Sequence, residues 1–65
     1  VKVRVNGQER ELTSGTTIGQ LLEAERIPAF CVVALNAVCL GASERGAALI
    51  REGDEIEILV PHPGG

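Results

Sequence analysis

The residues of this chain that could carry chemistry are few: a closing Gly64-Gly65 pair, one histidine, two cysteines and a set of carboxylates. The glycine pair is the most informative. Without a Cβ, a Gly-Gly end can pass through a narrow channel in any backbone geometry, and it leaves the carboxylate of Gly65 unhindered. A carboxylate resists nucleophiles until one of its oxygens becomes a leaving group. Adenylation with ATP does this, and the acyl-adenylate is then open to a sulfur nucleophile. Gly-Gly at a terminus is also a common frayed end. The context favours chemistry, because the pair sits on a short tail directly after a predicted core strand. Pro61 and Pro63 fix φ and remove two N–H donors. They bias Val60 and His62 to extended geometry. Five residues at roughly 3.3 Å each let residues 61–65 project about 16 Å from the fold. Gly65 is therefore read as the reacting residue, and Pro61, His62, Pro63 and Gly64 as the segment that enters a partner.

The other candidates read more plainly. Cys31 and Cys39 are separated by seven residues, which is neither a zinc-knuckle nor a CxxC spacing. Both lie in apolar stretches and are expected to be buried, inert thiols; a cysteine relay for sulfur is the alternative. An iron–sulfur cluster would need four cysteines. His62 has no companion ligands, so it is a solvated histidine or one that helps position the tail. Glu52, Asp54, Glu55 and Glu57 form a solvated acidic edge or a surface that steers a basic partner. No nucleophile–base pair and no metal set is visible, so a direct enzyme is the least favoured reading.

At 65 residues the chain makes one domain, of a size that buries only about 60% of its unfolded surface. Hydrophobic residues are 45% and charged residues 23%, a globular balance. The net charge is −3, and Phe30 is the one aromatic residue. An acidic chain without stacking aromatics is poorly suited to nucleic acid or anionic lipid. Apolar runs fall far short of the roughly 20 residues that span a bilayer, and no signal-peptide pattern opens the sequence. The expectation is a cytoplasmic protein.

The tail needs a folded handle, and the hydrophobic pattern supplies one over residues 1–60. Val1 to Val5 alternates as a half-buried strand. Asn6-Gly7 is a strong hairpin signal. Gln8 to Thr13 follows as a polar edge strand. Thr17 and Gln20 fit a capping box, and Ile18, Leu21 and Leu22 share one helical face. The helix should stop near Arg26, ahead of Pro28, and Gly19 lets it lie close to a sheet. Cys31 to Leu35 is apolar throughout: an interior strand covered on both faces, or one with a face that meets a partner. Asn36-Ala37 is a weaker turn signal. Val38 to Leu40 is a short strand, Gly41 to Gly46 a loop, Ala47 to Ile50 unclassified, and Arg51 to Asp54 a turn. Glu55 to Val60 alternates again, with Ile56, Ile58 and Val60 on one face. Leu59 falls on the other, where a lone exposed leucine is ordinary; beside part of the Cys31–Leu35 run it makes a docking patch. One helix cannot cover both faces of a sheet, so the class is α+β, a roll with one sheet face open.

Taken in order, these segments resemble the ThiS-type sulfur carriers of the ubiquitin-like β-grasp fold. Val3-Arg4-Val5-Asn6-Gly7 is similar to the opening strand and hairpin. Thr17-Ile18 with Leu21-Leu22 is similar to the helix start, and Val33-Ala34-Leu35-Asn36 to the central strand. Glu52 to Ile58 is similar to the last turn and strand, and Gly64-Gly65 closes the chain. The resemblance implies a mixed four- to five-stranded sheet with one main helix on one face, followed by an extended tail over 61–65. It also implies that a ubiquitin-activating-like adenylyltransferase adenylates Gly65 at the expense of ATP. Sulfur originating from a cysteine desulfurase would then convert Gly65 to a thiocarboxylate. A thiazole synthase, or another sulfur-accepting synthase, would take that sulfur, most readily for the thiazole of thiamine. No cofactor is bound in this picture. Carriers for molybdopterin, cysteine or tRNA thiolation, a ubiquitin-like modifier and a plain interaction module stay open as alternatives. Two features depart from the family: Pro61-His62-Pro63 is a stiff approach to the glycines, and Asn36-Ala37 stands where Asn-Gly is more usual.

Overall fold

The computed structural model describes residues 1–62. Five strands and one helix follow in chain order: β1 (Lys2–Val5), β2 (Gln8–Glu11), α1 (Ile18–Ala24), β3 (Val32–Leu35), β4 (Val38–Leu40) and β5 (Glu55–Leu59), with a single 3-10 turn at Ala42–Glu44. They form one mixed sheet in the order β2-β1-β5-β3-β4. β1 and β5 run parallel at its centre, and the other pairs are antiparallel. This is the β-grasp roll, with five strands.

The alternation read from sequence sets the two faces. Val3 and Val5 are buried while Lys2 and Arg4 are exposed. Ile56 is buried between the exposed Glu55 and Glu57. Val33 pairs with Ile58 and Leu35 with Ile56, all toward the core. Ile18, Leu21 and Leu22 of α1 close that core, together with Cys31 and Ile50. The capping box at the helix start forms as expected: the Gln20 N–H donates to Thr17 Oγ1 at 3.2 Å, and the Thr17 N–H to Gln20 Oε1 at 3.0 Å.

Several details differ from the sequence reading. The helix ends at Ala24, and its stop is made by Arg26 at φ 56°. The Arg26 N–H donates to Glu23 O and the Ile27 N–H to Leu22 O, the bonding of a Schellman end. A turn that normally takes glycine thus carries an arginine. Gly19 makes a close approach, but to a loop and not to the sheet. A Cβ there would meet Gly46 Cα at 3.3 Å and Arg45 O at 3.4 Å. The unclassified Ala47–Ile50 segment lies against the start of the helix, with the Ile50 N–H on Thr16 O and the Ile18 N–H on Ala48 O. Cys39 is exposed, against the expectation of two buried thiols; only Cys31 is buried. β4 is an edge strand, and Cys39 pairs with Ala34 on the open face of the sheet.

β5 is held at both ends by asparagine side chains. At its start, the Glu55 N–H donates to Asn36 Oδ1 at 2.9 Å, and Asn36 Nδ2 donates to Asp54 Oδ1 at 2.9 Å. At its far end, the Ile58 N–H donates to Asn6 Oδ1 at 2.8 Å, and Asn6 Nδ2 donates to Ile58 O at 3.1 Å. Both asparagines open two-residue turns at φ 51°, a geometry this residue tolerates well. The Asn6 turn is completed by Gly7 at φ 80°, the Asn36 turn by Ala37 at φ 69°.

Candidate functional site

Everything that bears on the tail converges on one end of the sheet. β5 is the middle strand, and one residue, Val60, separates its last residue, Leu59, from the tail. β3 runs antiparallel to it, so Val32 at the start of β3 faces Leu59. Directly opposed Cα partners share a face, which puts Val32 with Leu59 and Ala34 with Glu57 on the face that α1 does not cover. Leu59 is 65% exposed and Val32 46%. Leu59, Val32 and Ala34 line a shallow groove that Asn6 and Glu57 border. The Cys31–Leu35 run thus resolves to the second of its two readings, an interior strand with one face bare.

Phe30 stands at the same end, two residues before Val32, and is 63% exposed. Its turn is not loose. The Cys31 N–H donates to Pro28 O, and the Arg45 guanidinium reaches across from the 3-10 turn. Nη1 donates to Ala29 O at 3.1 Å and to Cys31 Sγ at 3.4 Å, and Nη2 donates to Cys31 O at 2.7 Å. Sequence reading passed over Arg45 as part of a polar loop and Phe30 as a composition count. A lone aromatic flanked by Pro28 and an apolar strand was a readable signal for Phe30. Nothing local marks Arg45, whose partners lie 14 and 16 positions away.

Over β1, β2 and the start of β5 the open face is charged. Lys2 faces Glu11, Arg4 faces Glu9 across the hairpin, and Arg4 stands beside Glu55 across the parallel pair. The acidic residues on that half thus alternate with basic ones row by row. The apolar zone over β3 and the end of β5 has Glu57 as its charged neighbour. Among the described residues no three His, Cys, Asp or Glu side chains gather as a metal site. Pro61 and His62 are exposed. Pro63, Gly64 and Gly65, the remaining expected site residues, lie outside the described residues.

The sequence of residues 3–65 matches the family model described as the ThiS family. The chain belongs to the ThiS family. The match runs from β1 through the Gly64-Gly65 pair, so it takes in both the folded handle and the tail. Among solved structures, the crystal structure of a thiamine biosynthesis protein (ThiS) from Geobacter metallireducens is similar over 100% of both chains, with 25% identity and a TM-score of 0.86. A solution NMR structure of a thiamine biosynthesis protein from Geobacter metallireducens is similar over 100% of this chain and 88% of its own, with 25% identity and a TM-score of 0.84. No curated protein matches the chain. The family, the five-stranded sheet and its single α-helix agree with the resemblance read from the sequence.

Proposed function

We propose that this protein is a sulfur carrier for thiamine biosynthesis that acts as a co-substrate of partner enzymes and has no active site of its own. The observation that carries the reading is the family match, which extends through Gly64-Gly65 onto a fold whose central strand leads into that tail. The Gly65 carboxylate attacks the α-phosphorus of ATP in an adenylyltransferase, forming the acyl-adenylate and releasing pyrophosphate. A persulfide sulfur, derived from a cysteine desulfurase, displaces AMP. Reductive cleavage of the S–S bond by a thiol then leaves a thiocarboxylate on Gly65. A thiazole synthase accepts that sulfur. Pro61, His62, Pro63 and Gly64 occupy the channel of each enzyme in turn.

The apolar zone is the docking surface in this reading. Leu59 and Val32 supply the contact, and Phe30 extends it at the same end of the fold. Bare apolar side chains beside a reactive tail suit a partner that must be held and then released. Carrier-dependent ATP–pyrophosphate exchange by the adenylyltransferase tests the proposal. Exchange should require Gly65 and stop on its deletion. An absence of carrier-dependent exchange with a competent adenylyltransferase would point instead to a protein that uses only its surface.

A further inference from the structure

We propose that Asn6 is a positioning residue for the tail: its carboxamide carries the pairing of β5 past the end of β1 and sets the direction in which the chain leaves at Leu59. The proposal rests on the carrier reading. β1 accompanies β5 only through the pairs Arg4–Glu55 and Val5–Ile56, and the last backbone bond runs from the Asn6 N–H to Ile56 O at 2.8 Å. There the chain turns away into the Asn6-Gly7 hairpin. The next residue of β5 that faces β1 is Ile58, whose N–H and C=O would both lose their strand partner. The Asn6 carboxamide takes up both, accepting from the Ile58 N–H at 2.8 Å and donating to Ile58 O at 3.1 Å. A primary amide holds a carbonyl acceptor and an NH2 donor side by side in one plane, so the side chain satisfies both groups of Ile58 as one more residue of β1 would.

The consequence falls on the tail root. On its other side β5 is paired with β3 as far as Leu59. With Asn6 in place, β5 is held from both sides up to Ile58, one residue before Leu59 and two before Val60. Without it, the last two residues of β5 would hang from β3 alone. Asn6 also borders the groove that Leu59 and Val32 line, so the same bonds fix the docking surface relative to the exit of the tail. The docking surface and the tail must reach the partner together, so an error in their relative placement weakens binding of the whole carrier.

Asn36 provides a matched control within the same molecule. It has the same φ of 51° and clamps the same strand with its carboxamide, but at Glu55, the end away from the tail. Asn6→Gly and Asn36→Gly both keep a residue that accepts positive φ and remove only the amide. Two measurements are made on each. Amide hydrogen exchange at Ile58 and Leu59 should accelerate in Asn6→Gly and stay as in the unsubstituted protein in Asn36→Gly. In the adenylation reaction, Asn6→Gly should raise the KM for the carrier about tenfold, the effect of losing two ordinary hydrogen bonds that hold the bound geometry. Its kcat should stay within about twofold of the unsubstituted protein's, since Gly65 itself is untouched. Asn36→Gly should leave KM unchanged. Unaltered exchange at Ile58 in Asn6→Gly, or equal KM changes in the two variants, would overturn the proposal. If the unsubstituted protein is not adenylated at all, the carrier reading falls, and hydrogen exchange alone decides whether Asn6 holds the tail root.

Discussion

At the scale of single residues, the fold keeps side chains at places where their chemistry is awkward. Ala37 sits at φ 69° in a turn that glycine would fill without strain. The left-handed conformation costs an L-residue about 1–2 kcal/mol, so Ala37→Gly should stabilise the protein by about 1 kcal/mol. In a domain this small that raises the thermal midpoint by roughly 4–8 °C. A lower midpoint would show that the Ala37 methyl makes a contact worth more than the strain. Arg45 is the opposite case, a residue read as loop that ties three segments together. It bonds Ala29 O, Cys31 O and Cys31 Sγ, while its own carbonyl accepts from the Gly19 N–H. Arg45→Met keeps the aliphatic stem and removes the donors. It should cost about 1–3 kcal/mol in urea unfolding, a large share of what a domain of this size has. A loss below about 0.5 kcal/mol, the ordinary scatter of surface substitutions, would show that water replaces the guanidinium there.

At the scale of elements, β1, β2, α1 and β5 were legible because each announces itself locally. Strict alternation gives the two central strands, Asn6-Gly7 the hairpin, and Thr17 with Gln20 the helix start. The reach of β3 was visible, but not which of its faces is bare, because a run of apolar residues looks the same with one face covered or two. Only the pairing of Val32 with Leu59 and the placement of α1 on the opposite face decide it. Cys39 was misjudged for the same reason: an apolar neighbourhood in sequence says nothing of an edge strand in space. The clamps by Asn6 and Asn36 were also out of reach, since their partners lie 52 and 18–19 residues away. The apolar zone over β3 and β5 has its own test. Leu59→Arg puts a charge on an exposed position, so stability should change by no more than about 0.5 kcal/mol. The KM for the carrier in adenylation should rise roughly tenfold or more, the size of a docking anchor lost. An unchanged KM would place the docking surface elsewhere.

At the scale of the whole molecule, the order of segments and the closing glycines carried the functional reading further than any single motif. The handle is legible because a 65-residue chain with one helix and alternating strands has few ways to bury its apolar faces. The proposed chemistry follows from Gly64-Gly65, since a carboxylate behind two glycines is suited to activation by another protein. What the sequence hides is how the root of the tail is held, which rests on Asn6 and on the pairing of β5 with β3, both long-range contacts. The central claim is that Gly65 carries sulfur, and the intact mass of the protein tests it most directly. The protein is incubated with an adenylyltransferase of the ThiS pathway, ATP, a cysteine desulfurase with cysteine, and a thiol, beside a variant lacking Gly65. The account predicts that the full chain gains the mass difference between one sulfur and one oxygen, and that the variant does not. A full chain that keeps its mass, under conditions where the same enzymes convert an established ThiS carrier, would contradict it.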